Sequence, residues 1–211
     1  MFKIMLNKLK KFFIIKNKGI NNKINISSKC FLEKKSRIKI NGNYNNIAIE
    51  DGNYKNVTID INGNYHNIII QNSTRINGLH IILQNNYNSI IIGKNIGFNN
   101  TLLVSCGNNN EISIGNDSMI SSNVEIWSCD GHSIFQNNKI INHSKSVKIG
   151  KHVWIGLNSK ILKGAEINDG CVIGANSLIS NKKFYQNSLI VGNPGKVIKE
   201  NIFWTVENLE C

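Results

Sequence analysis

From Ile149 onward an isoleucine returns at every sixth position: Ile149, Ile155, Ile161, Ile167, Ile173 and Ile179. Gly150, Gly156 and Gly174 follow three of them directly, and four positions after each of the first five stands a small or β-branched residue, Val153, Ser159, Ala165, Cys171 and Ser177. A period of six fits neither the 3.6-residue turn of a helix nor the strict alternation of a hairpin strand. It fits a triangular prism in which each face is one short strand and each corner one turn, with three hexads to a coil. The isoleucine fills the interior, the small residue occupies the tighter space, and glycine eases the turn.

The register continues upstream as Ile70, Ile76, Ile82, then Ile92, Phe98, Val104, then Ile114, Ile120, Ile126. Between triplets the step widens to ten, so these coils are expected to carry extra residues at one corner, where Asn85-Asn86 and Gly107-Asn108-Asn109-Asn110 supply good turn formers. Before residue 70 apolar pairs recur about every ten residues (Ile38/Ile40, Ile47/Ile49, Val57/Ile59, Ile68/Ile70), separated by Asn-Gly-Asn-Tyr and Asp-Gly-Asn-Tyr runs. These read as further coils with looser turns, with antiparallel hairpins as the alternative. One interruption is much larger: Ile126 and Ile149 lie 23 residues apart where six would serve, and the looped-out segment contains Asp130-Gly131-His132. Long excursions from a rigid scaffold are where function concentrates.

The two ends differ from the repeat. Phe2, Met5, Leu6, Leu9, Phe12 and Phe13 fall on one helical face among Lys3, Lys8, Lys10, Lys11, Lys16 and Lys18. Residues 1–20 are therefore expected to form a basic amphipathic segment, either a peripheral membrane contact through residues 1–18 or a cap over the open core. Residues 21–195 are expected to be the β-helix. Residues 196–211, after Gly192-Asn193-Pro194-Gly195, are expected to be a tail with a short C-terminal helix. The chain has 25 Lys and Arg against 13 acidic residues, a formal net charge of +12, which favours anionic partners. Five cysteines at irregular spacing suggest no disulfide framework, and the expected compartment is the reducing cytoplasm, with contact to the inner face of its membrane as the variant that the basic segment allows.

The segment "VKIGKHVWIGLNSKILKGAEINDGCVIGANSLIS" followed by "IVGNPGKVIKE" resembles the hexapeptide-repeat acetyltransferases, and "DGHSIFQNNKIINHSKSVKIGKHVWIG" with "GNPGKVIKENIFW" is similar to the polysialic acid O-acetyltransferases of bacterial capsules. The match is strong over residues 110 to 200. Gly195 stands where alanine is usual in the tail motif. The resemblance implies an all-β fold, a left-handed parallel β-helix, working as a homotrimer with the active site between neighbouring subunits. It implies acetyl-CoA as co-substrate, no metal, and His132 as the base that accepts the acceptor hydroxyl's proton, help worth roughly 10²–10⁴-fold. By the same resemblance Trp154 has a site role, the Leu157 backbone N–H is the oxyanion donor, and Ala175, Lys182, Lys196 and Lys199 contact the cofactor.

Asp130, His143 and Lys145 on the excursion are candidates for holding the acceptor. The expected acceptor is an anionic glycan containing sialic acid, in a capsule or lipooligosaccharide, and no nucleic acid is expected. No His-x-x-x-x-His ligand spacing appears, which argues against a zinc site. Two other readings remain open: N-acetylation of an amino-sugar nucleotide, and a non-enzymatic β-helix scaffold.

Overall fold

The computed structural model describes residues 14–33 and 35–207, and every regular element among them is a β-strand. The strands wind as a parallel β-helix, three-faced as the isoleucine period predicts and left-handed as the resemblance implies. In the C-terminal half each coil contributes one short strand to each of three faces. The first face carries Met119–Ile120, Trp154–Ile155, Val172–Ile173 and Leu189–Val191. The second carries Glu125–Trp127, Lys160–Ile161 and Leu178–Ile179. The third carries Glu111–Ile114, Val147–Ile149, Glu166–Ile167 and Lys183–Phe184.

Pairing between coils is parallel and in register. Ile155 stands beside Ile173, Ile161 beside Ile179, and Ile149 beside Ile167. The N-terminal coils are wider but built the same way: Ile47 stands beside Ile68, Ile68 beside Ile90, and Ile90 beside Ile112. The looser repeats are therefore coils and not hairpins. Their extra length lies partly in long strands, Gly52–Asn64, Ser73–Asn86 and Gly97–Ser105, which continue from the first face onto the second.

Two positions of the expected register shift. The inward residues of the second face are Ile81 and Leu103, both fully buried, and Leu103 stands beside Ile126. Ile82 and Val104 pair with each other one place further on, and Val104 with Trp127. A run such as Ile81-Ile82-Leu83 is apolar on both faces of its strand, so the pattern alone does not say which residue points inward.

The corners explain why the chain is rich in asparagine. Asn100, Asn123, Asn158 and Asn176 sit at one corner of successive coils, each at φ between 48° and 58°, the left-handed region. Asparagine enters that region more readily than other residues with a side chain. At another corner Tyr44, Tyr65 and Tyr87 take the same conformation, and their rings stack at 5.0 and 4.9 Å with planes within 5°. That stacking offsets part of the cost of placing a bulky residue at positive φ.

Behind the tyrosines runs a buried polar ladder, Asn22, Asn45, His66, Asn88 and Asn110. The asparagine amides donate to corner carbonyls, Asn45 to Gly63 and Asn88 to Gly107. His66 takes one rung, its Nδ1 accepting the Asn88 N–H at 3.1 Å.

At the N-terminal end, Ile14–Asn17 is a strand paired with Arg37–Asn41, so the solenoid already begins within the expected amphipathic segment. The apolar positions Phe2 to Phe13 lie outside the described residues. The expected C-terminal helix is absent among the described residues: Lys196–Lys199 is a strand antiparallel to Leu189–Val191. Its backbone covers an edge of the last coil, and a short segment with two β-branched residues gains more from that ladder than from one helical turn.

The His66 rung makes the fold acid-sensitive. Burial pushes the His66 pKa down from its ordinary 6.5, against smaller upward pulls from the Asn88 and Asn85 backbone. The unfolded chain then binds the proton more readily than the folded one, so stability is full above 6.5 and is lost as pH falls through the lower folded value. His66→Asn, which restores the residue used on the neighbouring rungs, is expected to shift the acid-unfolding midpoint to lower pH. Circular dichroism between pH 7 and pH 4 tests this, and an unmoved midpoint contradicts it.

Candidate active site

The looped-out segment leaves the second face at Ser128 and rejoins the third at Val147. Within it Phe135–Gln136 and Lys139–Ile140 form a small antiparallel hairpin. Asn142 holds the base of that hairpin. Its amide nitrogen donates to the His132 carbonyl and to Asp130 Oδ2, both at 2.8 Å, and its Oδ1 accepts the Ile134 N–H at 2.6 Å. Lys163, from the next coil, donates to Asp130 Oδ2 and to the Asn142 carbonyl. The backbone from the His132 carbonyl to the Ile134 N–H is thus fixed, and so is the Asp130 side chain before it, while the His132 side chain itself is exposed.

Sequence reasoning missed Asn142 and Lys163. Each is an ordinary residue for this composition, and only the closure of the loop brings them together. Asp130, a candidate for the acceptor, spends one carboxylate oxygen on this lock. Its burial is the largest single influence and would raise its pKa, but the hydrogen bonds from Lys163 and Asn142 and the Lys163 charge together hold it below the ordinary 3.8. Lys145 is tied by its Nζ to Asn181 Oδ1 at 2.7 Å, and His143 is exposed beside it.

Contrary to the expectation of unpaired thiols, a disulfide joins Cys106 to Cys129, with Cα atoms 5.7 Å apart. It links the end of one coil's second face to the foot of the excursion in the next. The partners lie 23 residues apart, about one coil, a relation that no local cysteine motif reveals. Cys129 is therefore not a free nucleophile in this structure.

Trp154 lies on the first face, 37% exposed, with its indole N–H on Ser121 Oγ at 3.2 Å. Leu157 and Ala175 follow it along one corner of successive coils, where the Asn176 N–H donates to the Leu157 carbonyl at 2.8 Å. The Leu157 N–H makes no hydrogen bond among the described residues, which leaves it available to an incoming oxygen. Lys182 and Lys196 line one cleft of about 230 Å³ with Leu178, Phe184, Pro194 and Gly195. The Lys182 ammonium lies over the Phe184 ring at 5.2 Å. Its neighbour Lys183 is paired with Glu166 at 2.7 Å, a hydrogen bond that raises the Lys183 pKa, and so Lys182 is the one left to meet a ligand. Lys199 is exposed at the end of the tail strand.

Apart from the lysines at that cleft, the structure thus gathers the candidates into two groups. Trp154, Leu157 and Ala175 lie along the first face and its edge, and Asp130, His132, His143 and Lys145 lie on the excursion between the second and third faces. No hydrogen bond or ring contact joins His132 to Trp154 within the chain among the described residues. Neither is there a cluster of three or more His, Cys, Asp or Glu residues placed to hold a metal among those residues.

Fold and site define a class: the hexad-built β-solenoid with a looped-out polar segment and a basic cleft at its last coils. Residues 146–181 match the family model of bacterial transferase hexapeptide (six repeats). The chain is 32% identical to the polysialic acid O-acetyltransferase OatWY, whose structure superposes with a TM-score of 0.83 over 93% of this chain and 92% of that one. The polySia-specific acetyltransferase NeuO is 29% identical, with a TM-score of 0.80 over 93% and 90% of the two chains. Among curated relatives, the polysialic acid O-acetyltransferase of Neisseria meningitidis is 35% identical over 90 residues, 42% of this chain and 42% of that protein. That of Escherichia coli O1:K1 / APEC is 34% identical over 91 residues, 42% of this chain and 29% of that protein. The chain thus spans less than half the length of these curated relatives. The chain belongs to the hexapeptide-repeat family of bacterial transferases and is similar to the polysialic acid O-acetyltransferases.

The lock around Asn142 gives a structural prediction. Lys163→Met removes both the hydrogen bond and the charge that lower the Asp130 pKa, so the carboxyl titration is expected to move upward, followed by carbon-detected NMR of the side chain. The same change, or Asn142→Ala, is expected to speed amide exchange at Ile134. Unchanged exchange in both variants means that the excursion is held by its hairpin alone.

Proposed function

We propose that the protein transfers an acetyl group from acetyl-CoA to a hydroxyl of an anionic surface glycan, most plainly one containing sialic acid. The observation that carries this is the likeness, over 93% of this chain, to the structures of two polysialic acid acetyltransferases, with an exposed histidine at the foot of the excursion. An alcohol does not ionise at neutral pH, so a base must take its proton as the new bond forms. His132 is set to do this: its backbone is clamped by Asn142 and its ring faces solvent. The free Leu157 N–H would receive the developing oxyanion. Lys182 and Lys196 in the basic cleft, with Lys199 beside it, would meet the CoA phosphates, and Ala175 lies on the corner leading from Leu157 towards that cleft.

The two groups of candidates lie on different sides of one prism, which does not fold onto itself. A site that uses both therefore needs a second copy of the chain, and we read the working unit as a trimer in which His132 of one subunit meets Trp154 of the next. Exposed Ile134, Phe135, Ile140 and Ile141 on the hairpin supply an apolar surface for such a contact. The reading places the protein in the cytoplasm, where the basic N-terminal segment would meet the inner face of the membrane and the Cys106–Cys129 pair would meet a reducing environment.

His132→Ala is expected to keep less than about a tenth of the wild-type rate, the lower end of general-base effects, with acetyl-CoA binding intact. The test is release of CoA with polysialic acid as acceptor and dextran as the neutral control. Turnover of polysialic acid is expected to weaken as salt rises, since attraction between exposed charges is screened over about 8 Å at physiological ionic strength. Equal turnover of both polymers without a salt effect overturns the anionic acceptor. An amide product, stable to mild base, overturns O-transfer in favour of an amino-sugar acceptor.

A further inference from the structure

After the strand Lys196–Lys199 the tail is held at Ile202, whose N–H donates to the Asn187 carbonyl at 2.9 Å. It then reaches back to a corner two coils earlier. There Trp204, only 7% exposed, lies face to face on His152, with ring centroids 4.1 Å apart and planes within 7°. The Trp204 indole N–H donates to the His152 carbonyl at 2.9 Å. His152 Nε2 lies 3.1 Å from the Trp204 carbonyl. A carbonyl only accepts, so the proton sits on Nε2 and the pair is closed in both directions. Trp154, two residues beyond His152, has its ring 5.9 Å from Trp204 at 43°, a tilted aromatic contact.

We propose that Trp204 is a positioning residue of the acyl-transfer site, one that holds the Trp154 ring in place; the inference rests on the reading in which Trp154 lines that site. An indole on an open strand face is free to swing about its side-chain torsions. Ser121 restrains its nitrogen end, and Trp204 walls its flank. A tail that only covered the edge of the last coil would need no anchor beyond Ile202. This one continues to the corner beside Trp154 and buries its largest side chain there. The same tail begins with Lys196 and Lys199, so one short segment connects the proposed phosphate contacts to the wall of the site. A cofactor held at the start of the tail would thereby restrain its end.

The experiment uses the full chain with polysialic acid and acetyl-CoA. Trp204→Leu keeps an apolar side chain but neither stacks nor donates, and is expected to lower kcat roughly 10- to 100-fold, the scale of a misplaced site group, with the KM for acetyl-CoA unchanged. Trp204→Phe, which keeps a ring on His152, is expected to regain most of that loss. In a Trp127→Phe background, iodide is expected to quench Trp154 fluorescence more strongly with leucine at position 204 than with phenylalanine. Should the leucine variant fail to fold, His152→Ala removes the platform from beneath Trp204 and is expected to show the same loss of kcat. A wild-type kcat in a folded variant overturns the proposal, as does equal quenching, and so does a raised acetyl-CoA KM with kcat intact, which makes the tail a cofactor arm only. A wild-type protein that transfers no acetyl group overturns the proposed function instead, while the quenching comparison still decides whether Trp204 holds Trp154.

Discussion

The structure depends on one repeated contact, the stacking of each coil on the one before it. A strand of two to four residues has no stability alone. Here each is fixed by parallel hydrogen bonds to the equivalent strand of its neighbours and by an inward isoleucine resting on the isoleucine of the coil below. The column Ile47, Ile68, Ile90, Ile112 is buried throughout. A slip of one residue in any coil would turn its isoleucines to solvent and its polar residues inward. Insertions are therefore confined to corners, and each corner must return the chain to the same starting point. The left-handed residues at the corners meet that demand, which is why a chain with one proline is so rich in asparagine.

That rigidity dictates how a site can be built. The faces cannot bend to enclose a substrate, so chemistry must come from what projects: an exposed ring on a face, a free N–H at a corner, and a loop long enough to leave the prism. A loop of that length carries its own entropy, and the molecule restrains it at its foot. Asn142 satisfies the His132 carbonyl and the Ile134 N–H just after it, Lys163 ties the loop to the next coil, and Cys129 ties it to the previous one. The restraint acts on the main chain and leaves the imidazole free.

The hexads are legible in the sequence because few folds besides a three-faced coil bury an isoleucine at every sixth residue. Legibility ends where one residue can face either way, as at Ile81-Ile82-Leu83, and where a role arises only from closure in space. Lys163 looks like any lysine of a basic chain, and Asn142 like any asparagine of an asparagine-rich one. Trp204 carries no periodic signal at all, since its partner His152 lies 52 positions away in the sequence. The tail strand reads as helix from its residues alone because its ladder partner, Leu189–Val191, offers an edge that exists only once the last coil has formed. His132 and Trp154 stand out through a resemblance. Their separation on different sides of the prism is not visible in the sequence, whose linear order sets them only 22 residues apart.

The charge surplus also takes on a place in the fold. Lys160, Lys163 and Lys183 are neutralised by Glu125, Asp130 and Glu166, and these cations serve the scaffold. Among the described residues Lys182 and Lys196 remain unpaired by carboxylates in the cleft of the last coils, and Lys139 and Lys145 remain so on the excursion. A net charge of +12 says only that an anion is welcome; the pairing says where. The first unpaired group is the pair of proposed phosphate contacts, and the second stands on the excursion that carries the proposed base, the two places where a phosphorylated donor and a carboxylated acceptor would enter. Such fields raise local concentration and orient approach, and contribute less to tight binding. For the proposed acceptor, a polymer whose every repeat carries a carboxylate, orientation would be the harder requirement, because many equivalent hydroxyls compete and only one delivered to the proposed base would react.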